Sequence, residues 1–562
     1  MTLRTGKRSQ WQPWCFGLLV LAALLNLPAW GQDPLRANLN PPTSPTPSED
    51  EATGARVEAS DPVDSPVPLV RRPAFKVTDS DVDPATASST ANVTVTLSAD
   101  IVMSPAEPAL TPEEETALQE KREALQKKVK GAYKGVFYDN DFTYINDPLY
   151  DDHFLGDSLK QMKLGCGVLD IGGEQRVRYH NEDGIRIGGL KGFDDNFWLN
   201  RTRLFSNYRI TDDLRFYGEY IYGDSGGETY LPRVIEENHS DALNLFLDAR
   251  LWSAGERSWT LRAGRQELLY GSQRLVSPLD WSNTRRTFDG FKLMHSNEGW
   301  NIDGFWTRPV RVNVERWDTP IEQVEFYGVY GTKKEPTLIG SIDLYWLALD
   351  DNLFDSRVDC LGTFVRGEEG SMLWEFETGV QVGRNTDGSA HSAGAATAGL
   401  GRKYEFLGFE NTLFLYYDWA SGSDIASGAW NQFFPLVHRY LGFMDLFGRR
   451  NINSPNVQTT TKLTDKLTLL TWYYFFFLDT LDQGPFTVLG TEYNPGGTNL
   501  NRDLGHELDV LFTYSLSARR EMLFGYSFFD AGEYFSTARN ANDRPLFAGD
   551  AHFLYWQYQV RF

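Results

Sequence analysis

Cysteine is scarce in this sequence of 562 residues: three in all, too few for a disulfide framework. Long apolar runs are absent beyond the N-terminus, and the mean hydropathy is −0.41. Repeated apolar helices of about 20 residues are therefore excluded, and with them a helical-bundle membrane protein. Positive charge is in deficit, with 54 Lys and Arg against 76 Asp and Glu and a net −22. That balance repels phosphate and argues against a nucleic-acid partner. The eight histidines show no HExxH-type spacing. No catalytic site and no cofactor follow from such a sequence. What is abundant is aromatic: 36 Phe, 26 Tyr and 16 Trp, beside 50 Gly. A chain this long is expected to hold several domains or one very large one.

The N-terminus reads as an export address. Arg4, Lys7 and Arg8 precede an apolar stretch from Trp14 to Leu27, and Ala29 and Gly31 stand where cleavage before Gln32 wants small residues. This is the layout of a secretory signal peptide over 1–31, and the apolar stretch is too short for a comfortable anchor. Cys15 leaves with it; nothing suggests that Cys166 and Cys360 pair. Residues 32–110 are rich in Pro, Ser, Thr and Asp, as in Pro41-Pro42-Thr43-Ser44-Pro45, and have no apolar period. They are expected to form a disordered spacer. A short helix opens the lead-in segment 111–165. Thr111 suits its cap, Pro112 its first turn, Glu113 to Glu115 its positive end, and Lys127, Lys128 and Lys130 its negative end. Glu123 can pair with Lys127, and Leu118, Leu125 and Val129 make only a narrow apolar stripe.

From Cys166 to Phe562 alternation replaces helical spacing. In 373–382, Trp374, Phe376, Thr378, Val380 and Val382 share one face while Glu375, Glu377 and Gln381 share the other. In 242–251, Leu243, Leu245, Leu247, Ala249 and Leu251 oppose Asn244, Asp248 and Arg250, and 522–528 groups Met522, Phe524, Tyr526 and Phe528. Short polar turns alternate with longer connections along the whole region, for example 211–213 and 464–466 against 269–286 and 421–451. Eight short turns and nine long loops predict 18 strands. The alternation of loop length predicts an all-β, transmembrane antiparallel barrel over 166–562 with short periplasmic turns, long outer loops and aromatic girdles at the lipid interfaces. The last residues alternate as Leu554, Trp556, Tyr558, Val560 and a terminal Phe562, as in the final strand of bacterial outer-membrane proteins.

A barrel of that size holds an aqueous lumen, so function is sought on the polar face. Residues 166–562 carry 31 Arg but only 7 Lys, against 53 Asp and Glu. Arginine keeps its charge in confined places and presents a planar fork to carboxylates. Arg176 and Arg178 share a face with Glu174, and Arg201 shares one with Arg203. Arg265, Arg274, Arg285, Arg286 and Lys292 are further candidates for an anion-guiding ladder; the alternative is that each merely pairs with an acid of the wall. The segment 421–451 is too apolar for a free loop, and folding into the lumen would carry Arg439, Arg449 and Arg450 to the channel.

At this point the residues resemble a known family. GRQELLYGSQRLVSPLDWSNTRRTFDGFKL (264–293) resembles the signature segment of the alginate-export outer-membrane barrels. LNRTRL (199–204), YKGVFYDNDFTYINDP (133–148), NQFFPLVHRYLGFMDLFGRRNI (431–452), HELDVLFTY (506–514) and YWQYQVRF (555–562) are similar as well. The resemblance runs from about Tyr133 to Phe562. It implies an 18-stranded barrel in the bacterial outer membrane that passes an anionic exopolysaccharide, alginate, outward through an arginine-rich pore. Carried onto this chain, it places Arg176, Arg178, Arg201, Arg203, Arg265, Arg274, Arg285 and Arg286 at that pore. The expected partners are outer-membrane lipid, the polysaccharide, and periplasmic secretion or synthase components; the barrel is expected to be monomeric. Two other readings stay open: a diffusion porin for small solutes, and a structural or adhesion barrel with a plugged lumen.

Overall fold

The computed structural model describes residues 111–186, 190, 192–546 and 549–562; the expected signal peptide and spacer lie outside them. Eighteen strands form one antiparallel sheet that closes on itself. In chain order they begin β1 (Gly167–Asp183), β2 (Asp195–Arg209), β3 (Leu214–Gly226), β4 (Asn238–Ala254), β5 (Arg257–Gln266) and β6 (Phe288–Ser296). Next come β7 (Trp300–Arg311), β8 (Val324–Lys333), β9 (Ser341–Asp351), β10 (Ser356–Glu369), β11 (Met372–Arg384) and β12 (Ala390–Phe406). The set ends with β13 (Phe409–Ala420), β14 (Ile452–Lys462), β15 (Leu467–Phe477), β16 (Asp503–Ser517), β17 (Arg520–Ala531) and β18 (Ala551–Arg561). Each strand pairs with the next, and β18 returns to β1 with Arg561 opposite Glu174 and His552 opposite Asp183.

The alternation maps onto the two faces of the wall. On β11 Phe376, Val380 and Val382 are exposed outward, whereas Gln381 is wholly buried inward. Outward Trp198, Phe216, Phe291, Tyr417, Phe475 and Phe524 are likewise exposed, which in a bilayer is contact with lipid. On β4 a register shift after Glu219 leaves Leu243 out of the pairing, and Leu243 is buried instead of facing outward with Leu245. Eight short connections lie at one end and nine at the other, as the loop alternation predicts. Two of the nine, 352–355 and 385–389, are as short as turns because the flanking strands run further than their sequences suggest.

The closing seam depends on two glycines. Gly173 and Phe562 exchange backbone hydrogen bonds at 2.9 and 3.0 Å. A Cβ on Gly172 would stand 2.4 Å from the Phe562 carbonyl oxygen, so only glycine fits beside the chain end.

Before the barrel, α1 (Pro112–Lys130) starts from a capping box in which Thr111 and Glu114 satisfy each other's backbone N–H groups. Glu123 accepts a hydrogen bond from Gln119 (2.9 Å). After α1 the chain turns into the lumen, and Phe137, Tyr138, Phe142 and Tyr144 are buried there against Phe205, Tyr217 and Phe246.

The two free cysteines report the topology. Cys166, at the short-turn end beside β1, is exposed, and Cys360 on β10 is buried. A membrane-impermeant maleimide is expected to label Cys166 only after the outer membrane is permeabilised, and Cys360 only after unfolding. Labelling of Cys166 on intact cells would invert the barrel's orientation.

Candidate functional site

Three inward segments occupy much of the lumen, and arginines hold them to the wall. The first is the loop 267–287, which carries too many apolar groups for open water: Leu268 and Val276 are almost fully buried. The second is 421–451, where Trp430, Leu441, Leu446 and Phe447 are buried in the same way. The two loops meet edge to edge. Phe434 N–H donates to the Leu275 carbonyl, Ser277 N–H to the Phe434 carbonyl and Leu436 N–H to the Gln273 carbonyl, each at 2.9 Å. The Tyr440 hydroxyl donates to the Ser272 carbonyl. Trp281 stacks on His438 with centroids 3.6 Å apart, and the Arg178 guanidinium lies 3.6 Å from the centroid of the same indole. Two planar groups at that distance must take opposite faces, so the indole is clamped between wall and loop.

Below these loops the wall of β1 and β2 presents a fan of arginines. Arg176 donates to the Asp280 carbonyl (2.7 Å) and the Ser282 carbonyl (2.9 Å). Arg178 donates to the Trp281 carbonyl (2.8 Å) and the Gln557 side chain (2.9 Å). Arg201 bridges Glu174 (2.6 Å) and Asp280 (2.9 Å), while Arg561 reaches the other oxygen of Glu174 (3.3 Å). Arg203 pairs with Glu219 (2.6 Å) and lies 3.8 Å from Glu267. Arg285 pairs with Glu267 (2.5 Å) and with Asp280. So Arg176, Arg178, Arg201, Arg203, Arg285 and Glu174 are brought together, but as one buried network with its hydrogen-bonding capacity largely consumed.

The other candidates are dispersed. Arg274 sits across the lumen with Glu375 (2.5 Å) and Glu377 (3.3 Å), and Arg449 anchors its loop to Asp418 (2.6 Å). Lys292 faces Asp303 at 3.3 Å. Arg265 lies on the outer face: it is in register with exposed Leu245 and with Asp289, on the side where Phe291 is exposed, and it pairs with Asp289 and Asp241. Its inward-looking phase in the sequence is thus not the phase of the folded strand. Among the candidate arginines, Arg176 and Arg178 of the wall donate only to carbonyls and amide side chains, and three more have no carboxylate within 4.0 Å among the described residues: Arg286, Arg439 and Arg450. All three belong to the inward loops, and Arg439 is exposed.

The third inward segment is 132–150, which sequence periodicity did not assign to the lumen. Its Tyr138 hydroxyl donates to the Glu267 carbonyl (2.7 Å), and its Gly135 carbonyl accepts from Arg285 (3.1 Å). Arg203 lies over the Phe137 ring at 3.8 Å and Arg262 over the Tyr138 ring at 4.3 Å. The density of Tyr and Phe in 133–150, in a stretch with no alternation, was the available signal. The acids Glu219, Glu267 and Asp280 were missed because nothing local distinguishes them from other lumenal carboxylates.

Not all of the lumen is filled. On the side of β14 to β17, the inward residues Thr460, Thr513 and Glu521 near the short-turn end remain partly exposed. One group of metal-type ligands exists among the described residues, Asp224, Glu237 and His239, with ligand atoms within 4.8 Å of one another. It sits at the loop-end rim, partly exposed, where His239 already lies 3.2 Å from Asp224 and 3.3 Å from Glu315.

Among solved structures the barrel is similar to OccD3 (OpdP) of Pseudomonas aeruginosa at 12% identity and a TM-score of 0.46, over 70% of this chain and 91% of that one. It is also similar to OprD of Pseudomonas aeruginosa at 13% identity and a TM-score of 0.45, over 72% and 96%. For OccAB1 of Acinetobacter baumannii the values are 9% and 0.47, over 70% and 96%. No curated protein matches the chain. The family model described as alginate export matches residues 168–548, from the start of β1 to the loop before β18. This is an outer-membrane β-barrel channel, and the chain belongs to the alginate export family.

Proposed function

We propose that this channel lets an acidic polysaccharide of the alginate type leave the cell, through a lumen closed at rest by its own loops. The observation that carries the reading is the placement of Arg286, Arg439 and Arg450 on the inward loops without a carboxylate partner among the described residues. Paired arginines are neutralised and hold the wall; unpaired ones lower the barrier to a passing chain of carboxylates. The buried pairs around Glu174 and Glu267 then serve to set the loops in place. Family membership supports the cargo class. The reading needs no catalysis and no cofactor. It expects a monomeric barrel in lipid, served from the periplasm by secretion or synthase components that meet the N-terminal segment, and no nucleic-acid partner.

Planar-bilayer recording of the purified chain tests this. The expected current is anion-selective and blocked by added polyuronate, and the double substitution Arg439→Glu, Arg450→Glu is expected to weaken that block several-fold. A large, unselective current that polyuronate leaves untouched would mean a general diffusion porin. No current at all, even with 421–451 shortened, would mean a structural barrel.

A further inference from the structure

At the loop end, between β1 and the loops 227–237, 267–287, 421–451 and 478–502, lies a cavity of about 800 Å³. Its walls are apolar over much of their area, with Ile185, Leu199, Leu231, Ile235, Leu279 and Val488 among the lining residues. Nearly all its charges are spoken for. Arg186 pairs with Glu236 (2.7 Å), Arg233 with Glu182 and Glu236, and His438 with Asp445 (3.0 Å). Every nitrogen of the Arg178 guanidinium has an acceptor in Gln557 or the Trp281 carbonyl. Glu492 accepts from the Gly484 N–H at 2.6 Å.

Arg286 is the exception. Its Nη1 reaches only the Ser277 and Pro435 carbonyls, at a long 3.3 Å each, and its Nε and Nη2 have no partner among the described residues. Burial without a carboxylate pulls its pKa down to about 10, which leaves it charged at neutral pH. One unpaired guanidinium in an apolar chamber matches one negative charge on a largely apolar body. A sugar chain would leave the apolar part of the wall unmatched, because its hydroxyls find no partners on Ile185, Leu199, Leu231, Ile235, Leu279 or Val488. We infer that this vestibule binds a small amphipathic carboxylate, its acid group on Arg286 and its alkyl or aryl body against the aliphatic lining. The site shares Arg286 with the polysaccharide reading, but the bilayer test of that reading changes Arg439 and Arg450 and leaves Arg286 in place, so the two can fail separately.

The probe is 4-phenylbutyrate, with 4-phenylbutanamide as its neutral isostere, titrated calorimetrically into the full chain in maltoside micelles. The acid is expected to bind at least about tenfold tighter than the amide. Arg286→Gln is expected to abolish that preference, and Arg286→Lys to keep most of it. Leu231 is 91% exposed, so Leu231→Glu should leave the fold intact and, by adding like charge at the mouth, weaken the acid several-fold while sparing the amide. Equal affinity of the wild type for acid and amide overturns the inference. So does an undiminished preference in Arg286→Gln, or, if that variant does not fold, an unchanged acid affinity in Leu231→Glu.

Discussion

Replacing residues 426–447 by a short Gly-Ser linker is expected to raise single-channel conductance several-fold in planar bilayers. The loop crosses the lumen and is fastened at both sides. At one side Arg449 holds Asp418 (2.6 Å) and Thr397 (2.8 Å), and Trp430 is buried beside Gly379. At the other, Phe443 N–H donates to Asp509 (3.0 Å) and Met444 N–H to Glu507 (2.9 Å), so two wall carboxylates grip the backbone. Between them Phe447 packs on Phe476 and Phe529. An 18-stranded wall without this crossing encloses a space wide enough for water and solute. The variant's barrel must still show the heat-dependent gel migration of a folded wall. If its conductance equals that of the parent, the barrier lies elsewhere, in 132–150 or 267–287.

The second large effect concerns stability. Arg201→Leu leaves Glu174, which has no exposed surface, without its nearest cation. Removing one member of a buried ion pair typically costs about 3–5 kcal/mol, whereas replacing both by apolar groups is often close to neutral. Denaturant unfolding of the barrel in lipid vesicles should therefore show a loss of about 3–5 kcal/mol for Arg201→Leu. Much of that loss should return in Arg201→Leu, Glu174→Leu. Residual pairing of Glu174 with Arg561 (3.3 Å) places the single variant toward the low end. A loss below about 1 kcal/mol would mean that water reaches the pair and screens it.

The wall was legible in the sequence because a strand between lipid and lumen must alternate, and β11 does so without interruption from Trp374 to Val382. The strand count followed from loop length, which a barrel sorts by membrane side. The phase of single residues was less legible. Arg265 and Leu243 are displaced from their expected faces, the latter by a register shift that one extra residue produces. The inward loop 421–451 announced itself through apolar content, since exposed loops cannot afford Trp430, Phe443 and Phe447 together. The arginines could be found but their state could not. Whether Arg201 meets solute or Glu174 depends on which acids three-dimensional closure brings opposite it, and Asp280 arrives from 79 residues away.

The inserted N-terminal segment has a neck. The Asp141 N–H donates to the Ala132 carbonyl at 3.0 Å, and the Lys134 N–H to the Asn140 side chain at 2.8 Å, so the two legs of the loop 132–141 are tied together. Onward, the chain runs back to the short-turn rim, where Asp157 pairs with Arg519 (2.6 Å) and Gly156 abuts Phe562. The segment is thus a peg and not a thread, its two legs tied to each other at the neck. Tension applied along α1 would reach Gly135, whose carbonyl accepts from Arg285, before Tyr138, which is held by the Glu267 carbonyl and by Arg215; both points lead to the Arg285–Glu267 pair. A mechanical pull from the periplasm and the ionic order of the lumen meet at that one ion pair.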